Sequence, residues 1–369
     1  MNAFSIPELH IGRLTARIPI VQGGMGVGVS LSGLASAVAE AGGIGVIAAA
    51  GIGMLEPDFD TRFQEANERA LQREISRARS MTSGLIGVNI MIALSDHESL
   101  LHTALDSGAD VIFMGAGLPL KIPAMVTPER IQSGDAMIVP IVSSGRAVEI
   151  ICRSWLRSGC LPYAFVLEGP LAGGHLGFRK NQIDDPAFSL ERLLAETLDA
   201  LETFRQRAGR DIPVIAGGGV YTGHDVYHLM ERGTAGVQMA TRFVTTKECD
   251  AHDRFREAYL RAREEDLMII DSPVGLPGRA LRNPFLNDVT AGERKPFRCP
   301  WKCLRTCNFR EAPYCIGMAL ANAKQGLLEE GFVFAGSNAW RADRIVSVQE
   351  LMNELVGEYE KVMQENSVA

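Results

Sequence analysis

Apolar residues recur along most of the chain as short unbroken runs, each followed by glycine or a small polar residue and then by a helical stretch. The runs fall at 18–22, 44–48, 85–90, 110–114, 138–142, 164–167, 212–216 and 235–239. Continuous apolar runs, rather than alternating ones, predict parallel strands buried on both faces. Helices are predicted at 31–41, with Ser30 or Ser32 as N-cap, at 60–80, near 98–107, up to Trp155, at 190–206 and near 223–232. Eight strands alternating with helices predict an α/β fold of the (β/α)8 or TIM-barrel type. A doubly wound sheet is the runner-up. Its one support is Gly43-x-Gly45-x-x-Ala48, which matches a dinucleotide fingerprint formally but sits at the start of a strand with no helix opening there. The barrel is expected over 1–246 and is completed by a terminal helix within 344–369. Residues 247–343, richer in charge and proline, are expected as a cap over the mouth.

In such a barrel the segments after the strands converge on one mouth. Here they hold Gly23-Gly24-Met25, Asn89, Gly115 to Gly117, Ser143-Ser144, Glu168 with the loop GPLAGGHLGF, Gly217 to Gly219, and Gln238 to Arg242. The turns after strands seven and eight are where many barrels bind phosphate, with Thr241 and Arg242 adding a hydroxyl and a charge. His175 sits between Gly174 and Gly177, and an imidazole there can exchange a proton near neutral pH. A histidine that merely caps a loop is the plainer alternative.

IPIVQGGMG, the Val88-Asn89 pair, EGPLAGGHLG, VIAGGGV and GVQMATRF follow one another in an order that resembles the nitronate monooxygenase (2-nitropropane dioxygenase) family. That family in turn resembles FMN-dependent enoyl-acyl-carrier-protein reductases. The resemblance spans about residues 18–246 and implies FMN at the carboxyl mouth. It implies Gly23, Gly24 and Met25 beside the isoalloxazine, Asn89 in contact with the flavin, and Gly217, Gly218, Gln238, Met239, Ala240 and Thr241 around the ribityl phosphate. Gly173 of the histidine loop completes the implied cofactor set, and His175 falls on the family's catalytic histidine. The implied reaction is oxidation of alkyl nitronates or nitroalkanes with O2. The alternative is an enoyl-thioester reductase that uses NAD(P)H and takes coenzyme A or acyl-carrier-protein substrates. Where the family pattern has an acid before the paired glycines, this chain has Leu171, with Glu168 three residues earlier. A non-flavin lyase or isomerase using the same phosphate site, and a binding protein that senses metal or redox state through its cysteines, are the other classes open to this sequence.

Cys299, Cys303, Cys307 and Cys315 lie close together in the cap, and four thiolates suit an iron–sulfur cluster or zinc. Their spacing matches neither the ferredoxin run nor the paired zinc pattern, so packing thiols remain the alternative. Around them stand Arg294, Lys295, Arg298, Lys302, Arg305 and Arg310, either a solvated face or an attractor for an anionic substrate tail.

Bulk properties narrow the partners. A net charge of −7 argues against a chain built to hold nucleic acid. The longest apolar region, 34–51, is interrupted by Glu40 and by glycines, and the chain opens without a leader pattern. A cytoplasmic, reduced, homo-oligomeric enzyme acting on a small molecule is the expectation.

Overall fold

A computed structural model describes residues 5–122, 126–299 and 301–368; residues 1–4, where a leader would start, lie outside it. Eight parallel strands close into a barrel in the order β7-β8-β1-β2-β3-β4-β5-β6. They are β1 Ile20–Gln22, β2 Ile44–Ala48, β3 Leu85–Met91, β4 Val111–Gly115, β5 Ile138–Val142, β6 Phe165–Glu168, β7 Val214–Gly217 and β8 Gly236–Met239. Each occupies a predicted run to within two residues at either end. The reason is visible in the burial: β2 and β4 are buried at every position, as strands enclosed on both faces must be.

Period-two alternation divides the strand residues between two cores. Val21, Val46, Phe113, Val139, Val166 and Ile215 fill the barrel interior. Phe165, Leu167, Val214, Ala216 and Val237 face outward and pack under the helices. A hairpin of Leu9–Ile11 and Leu14–Ala16 adds Leu9, Ile11 and Ala16 to the interior cluster and floors the barrel. Gln22, at the end of β1, is wholly buried, and its side chain is satisfied by the Val46 N–H at 2.9 Å and by the Gly23 carbonyl.

The helix Ser32–Glu40 is capped differently from expectation. Its N-cap is Leu31, and the capping oxygens come from far along the chain. Asp250 accepts from the Leu31, Gly33 and Leu34 amides at 2.7, 3.2 and 3.1 Å, and Glu74 accepts from both the N–H and the hydroxyl of Ser32. Ser30 instead bonds back to Met25, fixing the glycine-rich turn after β1.

Beyond β8 the chain makes the helix Asp253–Arg261, an antiparallel hairpin of Leu267–Asp271 and Pro277–Leu281, and the helices Pro284–Thr290, Ile316–Lys324 and Val348–Val368. The hairpin pairs with Gly174–His175 as a third strand, with Gly278 opposite His175 and Arg279 opposite Gly174. The loop after β6 is therefore built into the cap's sheet. The last helix returns to the barrel, where Leu351, Met352 and Leu355 are fully buried.

Candidate active site

The strand ends and the cap enclose a cavity of about 350 Å³. Every residue predicted to hold cofactor (Gly23, Gly24, Met25, Asn89, Gly173, Gly217, Gly218, Gln238, Met239, Ala240 and Thr241) lines it, as do His175 and Glu168. Gly24 must be glycine, because a Cβ there would lie 2.5 Å from the Cβ of Asn89. Beyond β7 the backbone turns through Gly218 at φ 96°. Among the described residues, the N–H groups of Gly218, Gly219 and Ala240 donate to no carbonyl or side chain. Orphan amides gathered at a cavity wall form a cradle for an anion such as a phosphate.

Two parts of the predicted phosphate site behave otherwise. The helix after β8 spans only Thr241–Val244, so it adds little dipole. Arg242 turns away from the cavity, pairing with Glu354 at 2.9 Å and lying over the Tyr221 ring, where it ties the last helix to the barrel. The segment Phe334–Asn338 takes its place, a contribution with no motif to announce it. The Gly336 N–H donates to Thr241 Oγ1 at 3.3 Å, and Asn338 Nδ2 donates to the Gly219 carbonyl at 2.7 Å.

His175 is held on three sides. Its backbone is in the cap sheet, its Nε2 is 2.7 Å from Ser272 Oγ, and its ring meets Phe334 edge-on at 5.0 Å. Burial pushes its pKa down to about 4, so the ring is neutral at physiological pH and able to accept a proton. Glu168, at the end of β6 and also on the cavity, is pushed the other way by burial, up to about 7. Leu171 is exposed and offers no carboxylate, so Glu168 is the acid of this loop. A carboxyl raised in the fold contributes stability that is complete below its unfolded pKa and is lost as pH rises through the folded value. Denaturant titration of apo-protein is thus expected to show a stability loss between about pH 4.5 and 7 that Glu168→Gln reduces.

Arg279, which sequence reasoning passed over, anchors the histidine loop. It is 6% exposed, and its Nη1 donates to the carbonyls of Pro170 and Ala172, both at 2.7 Å. Arg279→Leu leaves two carbonyls unpaired at about 1–3 kcal/mol each. The expected result is a clear fall in melting temperature and weaker turnover, with Arg279→Lys recovering part of both.

At the cap end of the cavity lie Asp96, Trp301, Cys303 and Cys315. Asp96 Oδ2 accepts from Asn67 Nδ2 at 2.8 Å, while Asp96 Oδ1 and Trp301 Nε1 find no partner among the described residues. No three or more His, Cys, Asp or Glu among the described residues are placed to hold a metal ion, so Cys299, Cys303, Cys307 and Cys315 are not brought together as the expected iron–sulfur or zinc site. The basic residues around them are partly spent within the cap. Lys295 pairs with Asp288 and Glu293, Arg294 holds the carbonyls of 310–312, and Arg305 meets His97.

A parallel barrel with an anion cradle and a neutral histidine on one mouth suits a phosphate-bearing cofactor or substrate. The chain belongs to the nitronate monooxygenase family: the family's model, described as nitronate monooxygenase, matches residues 8–358. Members of that family in general use FMN. A probable nitronate monooxygenase of Staphylococcus aureus is 25% identical over 340 residues, covering 82% of this chain and 86% of that protein. A (3aS,4S,5R,7aS)-5-hydroxy-7a-methyl-1-oxo-octahydro-1H-indene-4-carboxyl-CoA dehydrogenase of Mycobacterium tuberculosis is 27% identical over 276 residues, which cover 75% of this chain but only 66% of that relative, just under two thirds of its length. Among solved structures, FabK from Thermotoga maritima superposes with a TM-score of 0.72 at 26% identity, covering 95% of this chain and 96% of that one. A nitroalkane oxidase from Streptomyces ansochromogenes, at 22% identity and TM-score 0.71, shares the fold. Among the described residues no helix is long and apolar enough to cross a membrane.

Proposed function

We propose that this chain binds FMN in the barrel mouth and oxidises alkyl nitronates or nitroalkanes at the expense of O2, as a cytoplasmic enzyme. The observation that carries the reading is the joint presence, on one cavity, of three orphan amides and a neutral, half-buried histidine. The cavity suits the cofactor: the amides of Gly218, Gly219 and Ala240 would hold its phosphate, Gly23, Gly24 and Met25 would line its ring, and Asn89 would contact it. Bound there, FMN supplies the two-electron redox chemistry. The rest of the work belongs to the chain. Ser272 holds Nε2 of His175, leaving Nδ1 to accept the α-proton of a nitroalkane or to hydrogen-bond the nitro group. The apolar walls and Phe334 keep water from the reacting carbon.

A second reading rests on the relative that acts on a carboxyl-CoA: a thioester substrate with NAD(P)H as electron source. In it, His175 would orient the thioester carbonyl, and coenzyme A or an acyl carrier protein would be the partner. Anaerobic mixing with NADH or NADPH separates the two. No flavin bleaching, together with nitronate turnover in air, supports the first reading; rapid bleaching with no nitronate turnover overturns it.

A further inference from the structure

The cap end of the cavity carries polar groups that neither the cradle nor His175 uses. Asp96 stands at the N-cap of the helix His97–Asp106, where an aspartate side chain ordinarily accepts an amide of the first turn, yet it caps nothing. It is turned to Asn67 instead. Asn67 is 4% exposed, and its orientation is fixed from both sides: Oδ1 accepts the Gly53 N–H and Nδ2 donates to Asp96 Oδ2, each at 2.8 Å. That leaves Oδ1 of Asp96, itself 4% exposed, as a buried acceptor with no donor among the described residues. The Arg305 guanidinium does not fill the gap, because it is engaged by His97 Nδ1 at 3.1 Å. A facing segment of the cap brings a donor to the same end. The Ser95 N–H donates to the Cys303 carbonyl at 3.0 Å and Leu94 bridges to Leu304, so the stretch that carries Trp301 lies against the residues leading to Asp96. Trp301 packs its ring on Phe59 at 5.1 Å, and its Nε1 is buried with no acceptor among the described residues. One orphan acceptor and one orphan donor thus stand at one end of one cavity, among the apolar walls of Met54, Phe59, Leu94, Leu304 and Ile316.

We infer that this end of the cavity binds an apolar portion of the substrate that carries a hydroxyl group, which donates to Asp96 Oδ1 and accepts from Trp301 Nε1. A hydroxyl offers a donor and an acceptor on a single atom. A carbonyl has nothing to donate to the carboxylate, and an ammonium has nothing to accept the indole N–H. Burial raises the Asp96 pKa. A hydroxyl suits the protonated acid too, because its oxygen has two lone pairs for two donors. Leaving either orphan unpaired beneath a bound apolar group is unfavourable, so the pair selects against analogues that lack the hydroxyl. Burial against the apolar walls supplies the rest of the affinity. The inference rests on the flavin reading only in giving the cradle end to the cofactor, which leaves the cap end for substrate.

Ligands of one skeleton test it: 1-phenylethanol, ethylbenzene, acetophenone and 1-phenylethylamine, titrated calorimetrically into the full purified chain, with FMN content measured in the same samples. 1-Phenylethanol is expected to bind about 10- to 100-fold more tightly than ethylbenzene, and more tightly than the ketone and the amine. Asp96→Asn keeps the bond to Asn67 but puts an N–H donor where the free oxygen stood. It should lower the alcohol's affinity about tenfold and turn the preference to acetophenone, whose oxygen accepts from both donors. Trp301→Phe keeps a ring on Phe59 and removes only the N–H. It should cut the alcohol's advantage by a similar factor, and it serves where the Asp96 variant does not fold. Equal affinity for the alcohol and ethylbenzene, tightest binding of the amine, or a preference unmoved by either variant overturns the inference. The preference seen in a chain that takes up no FMN supports it and overturns the flavin reading; FMN uptake with no preference does the reverse.

Discussion

His175→Ala is expected to keep its flavin and to lose turnover by about 10²- to 10⁴-fold, the range for a positioned general acid or base. The ring is placed by the cap sheet, by Ser272 at 2.7 Å and by Phe334, and no other histidine among the described residues lines the cavity. The residue adds no amide to the phosphate cradle beyond its loop, so cofactor content is a fair control. Because burial holds the ring's pKa near 4, the acid limb that it contributes to kcat/KM should lie well below pH 6.5 and vanish in the variant. Ser272→Ala should give a smaller loss, because it frees the ring without removing it. Near-normal turnover in His175→Ala, at full flavin occupancy, would remove the histidine from the chemistry.

Gly218→Ala is expected to weaken FMN binding by about 10- to 100-fold, which corresponds to roughly 1.4–2.8 kcal/mol. Two effects combine at this position. Its φ of 96° is unfavourable for any residue with a Cβ, at about 1–3 kcal/mol. The added Cβ would also lie 2.8 Å from the Gly169 carbonyl oxygen and 3.1 Å from the Ala172 nitrogen, pressing the phosphate turn against the histidine loop. Gly209→Ala is the matched control. It also has positive φ, at 62°, but a Cβ there meets nothing within 4 Å and lies at a helix end remote from the cavity. It should lower the melting temperature and leave flavin affinity unchanged. Equal flavin affinities for the two variants, read by fluorescence titration of apo-protein, would contradict the cradle.

The barrel was legible because its strands are enclosed on both faces and read as apolar runs without alternation. The three-residue strands at Leu9–Ile11 and Leu14–Ala16 carry too short a pattern to read, though they complete the interior core. In the site, His175 and the glycines after β7 stood out because their turns are local in sequence. Ser272, Arg279, Phe334 and Asn338 did not, because their roles depend on pairings such as Gly278 with His175, about a hundred residues apart. Arg242 was misread for a related reason: a charge beside a phosphate turn looks like a ligand until the last helix brings Glu354 to it. The cap of the helix Ser32–Glu40 shows the same limit, since Asp250 reaches it from more than two hundred positions away. Nearby serines were the only local donors of a capping oxygen.

Every catalytic expectation above depends on FMN held by the cradle of Gly218, Gly219 and Ala240. The most direct test of that binding is the cofactor released from the purified chain by denaturation, identified and counted against protein. About one FMN per chain is expected, either as purified or after incubation of apo-protein with FMN. A colourless protein that takes up no FMN on reconstitution would contradict it.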